Sequence, residues 1–427
     1  MAALLLTSMV WSGHAQEKNE MDLSGEWAFQ TDVMDFRRGS LDVRYCHRLQ
    51  ESIVLPGITD DYKIGYKSPY RHLDRLTRVY EYMGPAWYQR EIEIPAAWKG
   101  KRIFLYFERT HWLSSVYVGK EEVSKIDYIS IPHNHELTQW LHPGKKELIT
   151  FCIDNRYQYD THKWDHAHSE FTQINWNGVL GEIKLVAVDP VYVDDMQVYP
   201  DIKNKSIKVK MTVRNCTEHT ASGKISFHVT GKDYRLQKEV PVTVTDSITY
   251  IEEEMFLGKD IHLWNEFHPN LYTLDCKLTS SVEGQSYAHE KSTTFGMREV
   301  EAGEDHIILN GEPIHLRGTV ENAVFPKTGY APVDDASWER VLRILKEYGM
   351  NHMRFHSWCP PAAAFRMADK LGVYLEVEMP MWGKDAQPDE KRWNFFRREL
   401  RGILKEYGNH PSFILYLSLI HISEPTR

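Results

Sequence analysis

Residues 350–380, MNHMRFHSWCPPAAAFRMADKLGVYLEVEMP, decide the fold. Met350–Phe355 reads as a short strand, Pro361–Leu371 as a helix stopped by Gly372, and Val373–Glu378 as a second strand. The alternation continues on both sides. Upstream, Trp338, Val341, Leu342 and Leu345 fall on one helical face, with Asp334, Asp335 and Ser337 as N-cap candidates and Gly349 as the stop. Downstream, Glu390–Tyr407 is a helix closed by Gly408, and Ser412–Tyr416 is an apolar run of the buried-strand type. Strands alternating with helices at this spacing predict parallel βα units, and residues 299–416 are expected to form the first half of a (β/α)8 TIM barrel. Four strands are present, and a barrel closes with eight.

The preceding residues carry a different period. Residues 22–188 read as all-β: Trp87–Ile94, Ile103–Phe107, Ser115–Val118, Glu147–Ile153 and Gly181–Val188 are strand-like, punctuated at Pro95, Lys99-Gly100 and Pro143-Gly144. They predict a jelly-roll β-sandwich. After Asp189-Pro190 a second β unit, 189–298, is expected. There Ile207, Val209, Met211 and Val213 alternate with Lys208, Lys210, Thr212 and Arg214, and Val240, Val242 and Val244 repeat the pattern. Short strands over about a hundred residues suit an immunoglobulin-like β-sandwich. Residues 2–15, AALLLTSMVWSGHA, read as a signal peptide (1–15) with Ala15 the last residue removed, which predicts export to the periplasm or medium, although no Lys or Arg precedes the apolar run. That run is too short to span a bilayer, so no membrane partner is expected. Leu417–Arg427, LSLIHISEPTR, continues no earlier pattern and looks like a translated sequencing adapter, an artefactual tail.

The 42% hydrophobic and 12% aromatic content of the 427 residues suits globular cores. A net charge of −9 without a basic stripe argues against nucleic acid. Of the five cysteines, Cys46, Cys152, Cys216, Cys276 and Cys359, none forms a C-x-x-C pair, so no zinc site is expected. Cys216 and Cys276 can pair across sheets, but buried free thiols are the expectation. His162, Asp165, His166 and His168 cluster in HKWDHAH. A metal site is weighed there against a solvated loop or an arm reaching the barrel mouth, and the loop or arm is preferred.

Several stretches stand in a telling order. They are Leu23-Ser24-Gly25-Glu26-Trp27, Leu55-Pro56-Gly57, Gly84-Pro85-Ala86-Trp87-Tyr88 with Ile94-Pro95, and Gly178–Leu185 behind Asn175-Trp176. Phe295-Gly296-Met297-Arg298, Leu309-Asn310-Gly311-Glu312-Pro313, Leu316-Arg317-Gly318 and Gly408-Asn409-His410-Pro411-Ser412 follow. Together they resemble glycoside hydrolase family 2, the family of β-galactosidases, β-glucuronidases and β-mannosidases, over nearly all of residues 22–416. Three strand ends depart from the family pattern. Val320-Glu321-Asn322 stands for Asn-Arg-His, Arg354-Phe355-His356-Ser357-Trp358 exchanges the His and Ser of Arg-x-Ser-His, and Val377-Glu378-Met379-Pro380-Met381-Trp382 replaces Asp-Glu-Ala-Asn.

The resemblance implies an exo-acting retaining glycosidase, which needs two carboxyl groups about 5–5.5 Å apart. It places the acid/base in an Asn-Glu pair just beyond the fourth strand and the nucleophile on the seventh. Neither is encoded here, so no catalytic residue is assigned; Glu424, in the adapter-like tail, is refused the role. What the resemblance leaves is half a pocket: Glu378 to accept from sugar hydroxyls or help hold a cation, weighed against a surface or ion-paired Glu; His356 to donate to a hydroxyl and Arg354 to orient carboxylates, weighed against a structural polar pair; and Trp358 and Trp382 to stack on sugars or pack. Glu321 and Asn322 are weaker candidates. The family's metal site draws on a histidine beyond the third strand, and Met379–Gly383 has none, so neither metal nor cofactor is expected. The implied partner is an oligosaccharide or polysaccharide, with β-galactosidase activity first and β-glucuronidase or another uronidase next, Arg354 being the hint for the latter. The rival is a carbohydrate-binding protein without catalysis. Four parallel strands alone leave an open apolar edge, which predicts an insoluble or inert fragment. The sequence does not fix an oligomeric state.

Overall fold

The computed structural model describes residues 19–32, 49–172, 175–382 and 389–417. The leader-like residues 1–15, Cys46 and the tail beyond Leu417 lie outside them. The protein is a multidomain, β-rich chain whose elements follow the change of period in the sequence.

The first region is a sandwich of a six-stranded and a five-stranded antiparallel sheet. Its central pair, Pro85–Glu93 and Lys146–Asp154, stays in register over its whole length. Aromatic side chains fill the space between the sheets. Phe151 stacks on Tyr88 at 4.8 Å and meets Phe107, from the opposite sheet, at 4.8 Å. Trp27 and Phe151 are fully buried, so these rings supply core rather than sugar-stacking surface.

The second sandwich pairs a three-stranded with a four-stranded antiparallel sheet. On Ser206–Asn215 the alternating residues Ile207, Val209, Met211 and Val213 all point inward. Cys276 and Met211 meet in this core, sulfur to sulfur at 3.7 Å. Cys216 is a free thiol like Cys276, but an exposed one, which corrects the expectation of a buried position: it follows the last residue of its strand, where alternation no longer places it inside. Asp189 locks the junction between the sandwiches, pairing with Lys101 at 2.6 Å and accepting from the Ala288 amide at 2.8 Å.

A small antiparallel sheet, Val300–Ala302, Ile307–Leu309 and Glu312–Ile314, leads into a four-stranded parallel sheet. We label its strands β1 (Gly318–Glu321), β2 (His352–Phe355), β3 (Tyr374–Glu378) and β4 (Phe413–Leu417). They pair in sequence order, every neighbour parallel. Helices α1 (Asp335–Glu347), α2 (Ala362–Leu371) and α3 (Glu390–Tyr407) make the crossovers. Asp334 caps α1 by accepting from the Ser337 amide at 2.8 Å, and Gly349 ends it at φ 76°. Gly372 closes α2 at φ 66°, but Gly408 closes α3 in the right-handed region, so its value there is not a left-handed turn. Trp338, Leu342, Phe355, Phe365, Val377 and Ile403 form the core between sheet and helices.

Two of the signature stretches are the joint between the second sandwich and β4. Arg298 donates to the backbone oxygens of Pro411 and Phe413, each at 2.8 Å. Asn409 accepts from the Val198 amide at 2.8 Å and donates to the Met196 carbonyl at 2.9 Å. Asp369 at the end of α2 accepts from the Ser412 amide at 3.0 Å and from His410 Nδ1 at 2.5 Å. The approach to β4 is thereby fixed from three sides.

Candidate functional site

Parallel pairing sets the carboxyl ends of β1, β2 and β3 side by side: Glu321 lies opposite Phe355, and Phe355 opposite Val377. Glu378 ends β3 and is fully buried. Its Oε1 pairs with the Arg354 guanidinium, and its Oε2 accepts from the Ser357 amide at 2.7 Å. Burial pushes the Glu378 carboxyl above the usual carboxylate range, while the Ser357 amide and Arg354 pull it back. Arg354 thus orients a carboxylate, but one of the protein's own; Glu376 lies 3.6 Å from it as well. Ser357 takes a left-handed φ of 59° two residues past the end of β2, and Ala323 one of 54° two residues past the end of β1. Residues held in this sparsely populated region cost on the order of 1 kcal/mol each. Here both turn backbone amides toward carboxylates.

Glu321 plays that part after β1, accepting from the amides of Ala323 at 2.8 Å and Val324 at 3.2 Å. Burial raises its carboxyl to about 7 despite these bonds. Asn322 is half-buried, and its Oδ1 has no hydrogen-bond partner in the protein. Trp358 is 3% exposed, meets Phe355 edge-on at 5.2 Å, and donates from Nε1 to the Glu321 carbonyl at 3.1 Å. Of its two expected roles, the structure places it in packing. Trp382 and His356 are half-buried, with ring centroids 4.2 Å apart. Burial, then His166 and then Arg354, lower His356 to about 4, so at neutral pH its ring has one donor and one acceptor.

The first sandwich supplies the opposite wall. Its HKWDHAH stretch is the arm weighed above. His166 packs against His356 at 5.0 Å and Trp382 at 6.0 Å, and the Trp382 amide donates to the Thr161 carbonyl at 3.1 Å. Asp165 holds the arm in shape. Fully buried, it accepts from Thr161 Oγ1 at 2.8 Å, from the amides of Ala167 and His168 at 3.0 and 3.1 Å, and pairs with His168 Nδ1 at 3.1 Å. His168 is wedged edge-on between Trp112 and Tyr157, each at 4.3 Å. Among the described residues no group of three or more His, Cys, Asp or Glu is placed to hold a metal ion.

Behind the site another carboxylate joins the first sandwich to α3. Glu399, fully buried on α3, accepts from the Ile129 amide at 2.9 Å, and burial raises it to about 7. Sequence reasoning missed Glu399, the Ser357 amide and the Thr161 carbonyl. The first was readable: Glu399 interrupts the apolar stripe Phe395, Phe396, Ile403, Tyr407. The other two are backbone groups, which no side-chain pattern announces.

Two β-sandwiches are thus followed by a parallel βα sheet whose strand ends gather a buried carboxylate, histidines and a tryptophan. Residues 191–298 match the model of glycosyl hydrolases family 2. The chain is 23% identical to a β-galactosidase of Thermoanaerobacter pseudethanolicus over 79% of this chain and 44% of the relative. It is 22% identical to the β-glucuronidase of Sus scrofa, over 88% of this chain and 59% of the relative. The fold is shared with Bacteroides uniformis β-glucuronidase 2, solved covalently bound to cyclophellitol-6-carboxylate aziridine: the TM-score is 0.74 at 18% identity, over 93% of this chain and 46% of that one. A putative β-galactosidase from Bacteroides fragilis gives 0.75 at 17% identity, over 93% and 58%. The chain spans about half the length of the curated relatives it matches.

Proposed function

We propose that the chain is part of an exported, exo-acting retaining glycoside hydrolase that removes terminal β-linked sugars from an oligosaccharide or polysaccharide. In this reading residues 22–188 are a jelly-roll unit, 189–298 an immunoglobulin-like unit and 299–416 the first half of a (β/α)8 barrel. The observation that carries it is Glu378: a fully buried carboxylate at the carboxyl end of a parallel strand, where barrel enzymes read substrate. Its pairing with Arg354 fixes its rotamer, and His356 and Trp382 beside it supply a hydroxyl partner and an aromatic wall. These groups bind and orient. The resemblance would put the acid/base just beyond the fourth strand and the nucleophile on a seventh.

β-Galactosidase is the first reading and β-glucuronidase the second. Arg354 was the hint for a uronate, and its guanidinium is engaged with Glu378, which weakens that hint. Relatives of both names support the two readings alike. Steady-state hydrolysis of 4-nitrophenyl β-D-galactopyranoside and β-D-glucopyranosiduronic acid by the intact protein decides between them. Turnover of the galactoside at the greater kcat/KM supports the first reading, and turnover of the glucuronide the second. Hydrolysis of neither, with carbohydrate binding retained, would leave the non-catalytic binding protein standing.

A further inference from the structure

The densest group of exposed large hydrophobic side chains lies away from the strand ends, on the first sandwich. Within residues 62–83, Tyr62, Tyr66, Tyr70, Leu73, Val79 and Met83 are all exposed, Tyr66 at 67% and Tyr70 at 72%. They sit on and around a two-stranded hairpin, Tyr66–Lys67 paired with Tyr80–Glu81. The segment is also cationic. Between Tyr62 and Tyr82 stand five Lys and Arg against two carboxylates, in a chain whose net charge is −9. Arg78 is taken by Asp60 at 2.7 Å, but Lys63, Lys67 and Arg71 are exposed.

This surface is continuous with the candidate site. Leu76 anchors the hairpin in a cluster with Trp176, Tyr330 and Val333, the last two on the segment that follows β1. Arg75 lies 5.4 Å over the ring of Phe171 at the far end of the arm. Phe171 meets Trp164 edge-on at 6.4 Å, and Lys163 lies 5.1 Å over the Trp164 ring. Trp164 is 40% exposed. From there Thr161 and His166 reach Trp382 and His356. Aromatic rings and cations are therefore interspersed from the hairpin to the strand ends.

We propose that the hairpin and the outer face of the arm form an extended binding surface for an anionic polysaccharide, which carries uronate or sulfate groups and presents its terminal sugar to the site. This rests on the glycosidase reading and adds a substrate class to it. Tyr and Trp faces stack on sugar rings, with about 1 kcal/mol as the scale for aromatic stacking. Arg forks match carboxylate and sulfate oxygens. A compact protein-docking patch has an apolar centre and a polar rim. Here cations and rings are interspersed from the hairpin through the arm, which suits an extended polymer.

The test is binding of polygalacturonate, chondroitin sulfate and a neutral galactan of matched length to the intact protein, at low and moderate salt, by calorimetry. The variants are Y66A/Y70A and K67Q/R71Q. A control pair, K208Q/Y250A, alters a similarly exposed Lys and Tyr on the second sandwich. Each hairpin variant should keep its melting transition yet weaken binding of at least one acidic polymer tenfold or more. Salt should weaken it too, the neutral galactan should bind at least tenfold less tightly, and the control should match the parent. The two acidic polymers separate carboxylate from sulfate recognition. Equal binding of galactan, no binding of either acidic polymer, or indifference to the hairpin substitutions would overturn the proposal. So would hairpin variants that change only the sedimentation coefficient, which would mark a protein-docking face. The readout needs no hydrolysis. Binding without turnover would retain the surface and remove the enzyme, and turnover without polymer binding would do the reverse.

Discussion

Trp358 and Trp382 follow neighbouring strands and read alike in the sequence, but their surroundings make opposite predictions. Trp358 is spent on the core and on one hydrogen bond to Glu321. Trp358→Ala should cost about 3–5 kcal/mol of stability, as for large aromatic truncations in cores, which denaturant unfolding will measure. Trp382 is half-buried beside His356, so Trp382→Ala should cost less than half as much and act instead on KM for an aryl glycoside, raising it about tenfold or more. Glu399 makes a prediction about pH. Its carboxyl is raised to about 7 from an unfolded value of 4.5, so the folded state binds the extra proton between these limits. Its contribution is therefore fully favourable below about pH 4.5, declines as pH rises to about 7, and levels off above, the loss reaching about 3 kcal/mol at most. Glu399→Gln should flatten the difference in unfolding free energy between pH 5 and pH 8, and an unchanged difference would contradict the assignment. At this scale the sequence offered residue types, not surroundings. Glu378 and Arg354 could be named, but their mutual pairing depends on the register of β2 against β3, and the burial of Trp358 on where Phe325 folds back.

At the scale of elements the periodicities carried nearly everything. Strands were legible where alternation met turn residues, as on Ser206–Asn215, and helices where an apolar stripe met Asp334 and Gly349. The arm was not legible in the same way, because its shape comes from one carboxylate. Asp165 gathers Thr161, Ala167 and His168, and no periodic pattern encodes such a knot. Asp165→Ala would strand these buried donors. It should cost about 2–4 kcal/mol and make residues 157–172 the first site of limited proteolysis, since a released arm exposes its backbone. If the cleavage pattern matches the parent's, the arm is held by its aromatic contacts instead. Capping gives a smaller effect: Asp334→Ala should lower stability by about 1 kcal/mol through loss of the Ser337 bond.

Across the whole molecule, the order of units was readable from changes of period, but the joints were not. Arg298, Asn409 and Asp369 work through backbone groups distant in sequence, and signature stretches that looked like separate landmarks turn out to hold one another. Among the described residues the parallel sheet has β1 at one edge and β4 at the other, and Val320 on β1 is 50% exposed. Unpaired parallel edges of this kind template association. The 427 residues expressed by themselves should therefore run as polydisperse assemblies in light scattering, and a monodisperse monomer would contradict that expectation. The central claim is that the strand ends around Glu378 form the sugar site. It is tested most directly by kcat/KM of the intact protein and its Glu378→Gln variant on whichever aryl β-glycoside the parent hydrolyses, with melting curves run in parallel. The account predicts a loss of about a hundredfold or more in a variant that remains folded. Parental activity in folded Glu378→Gln would contradict it.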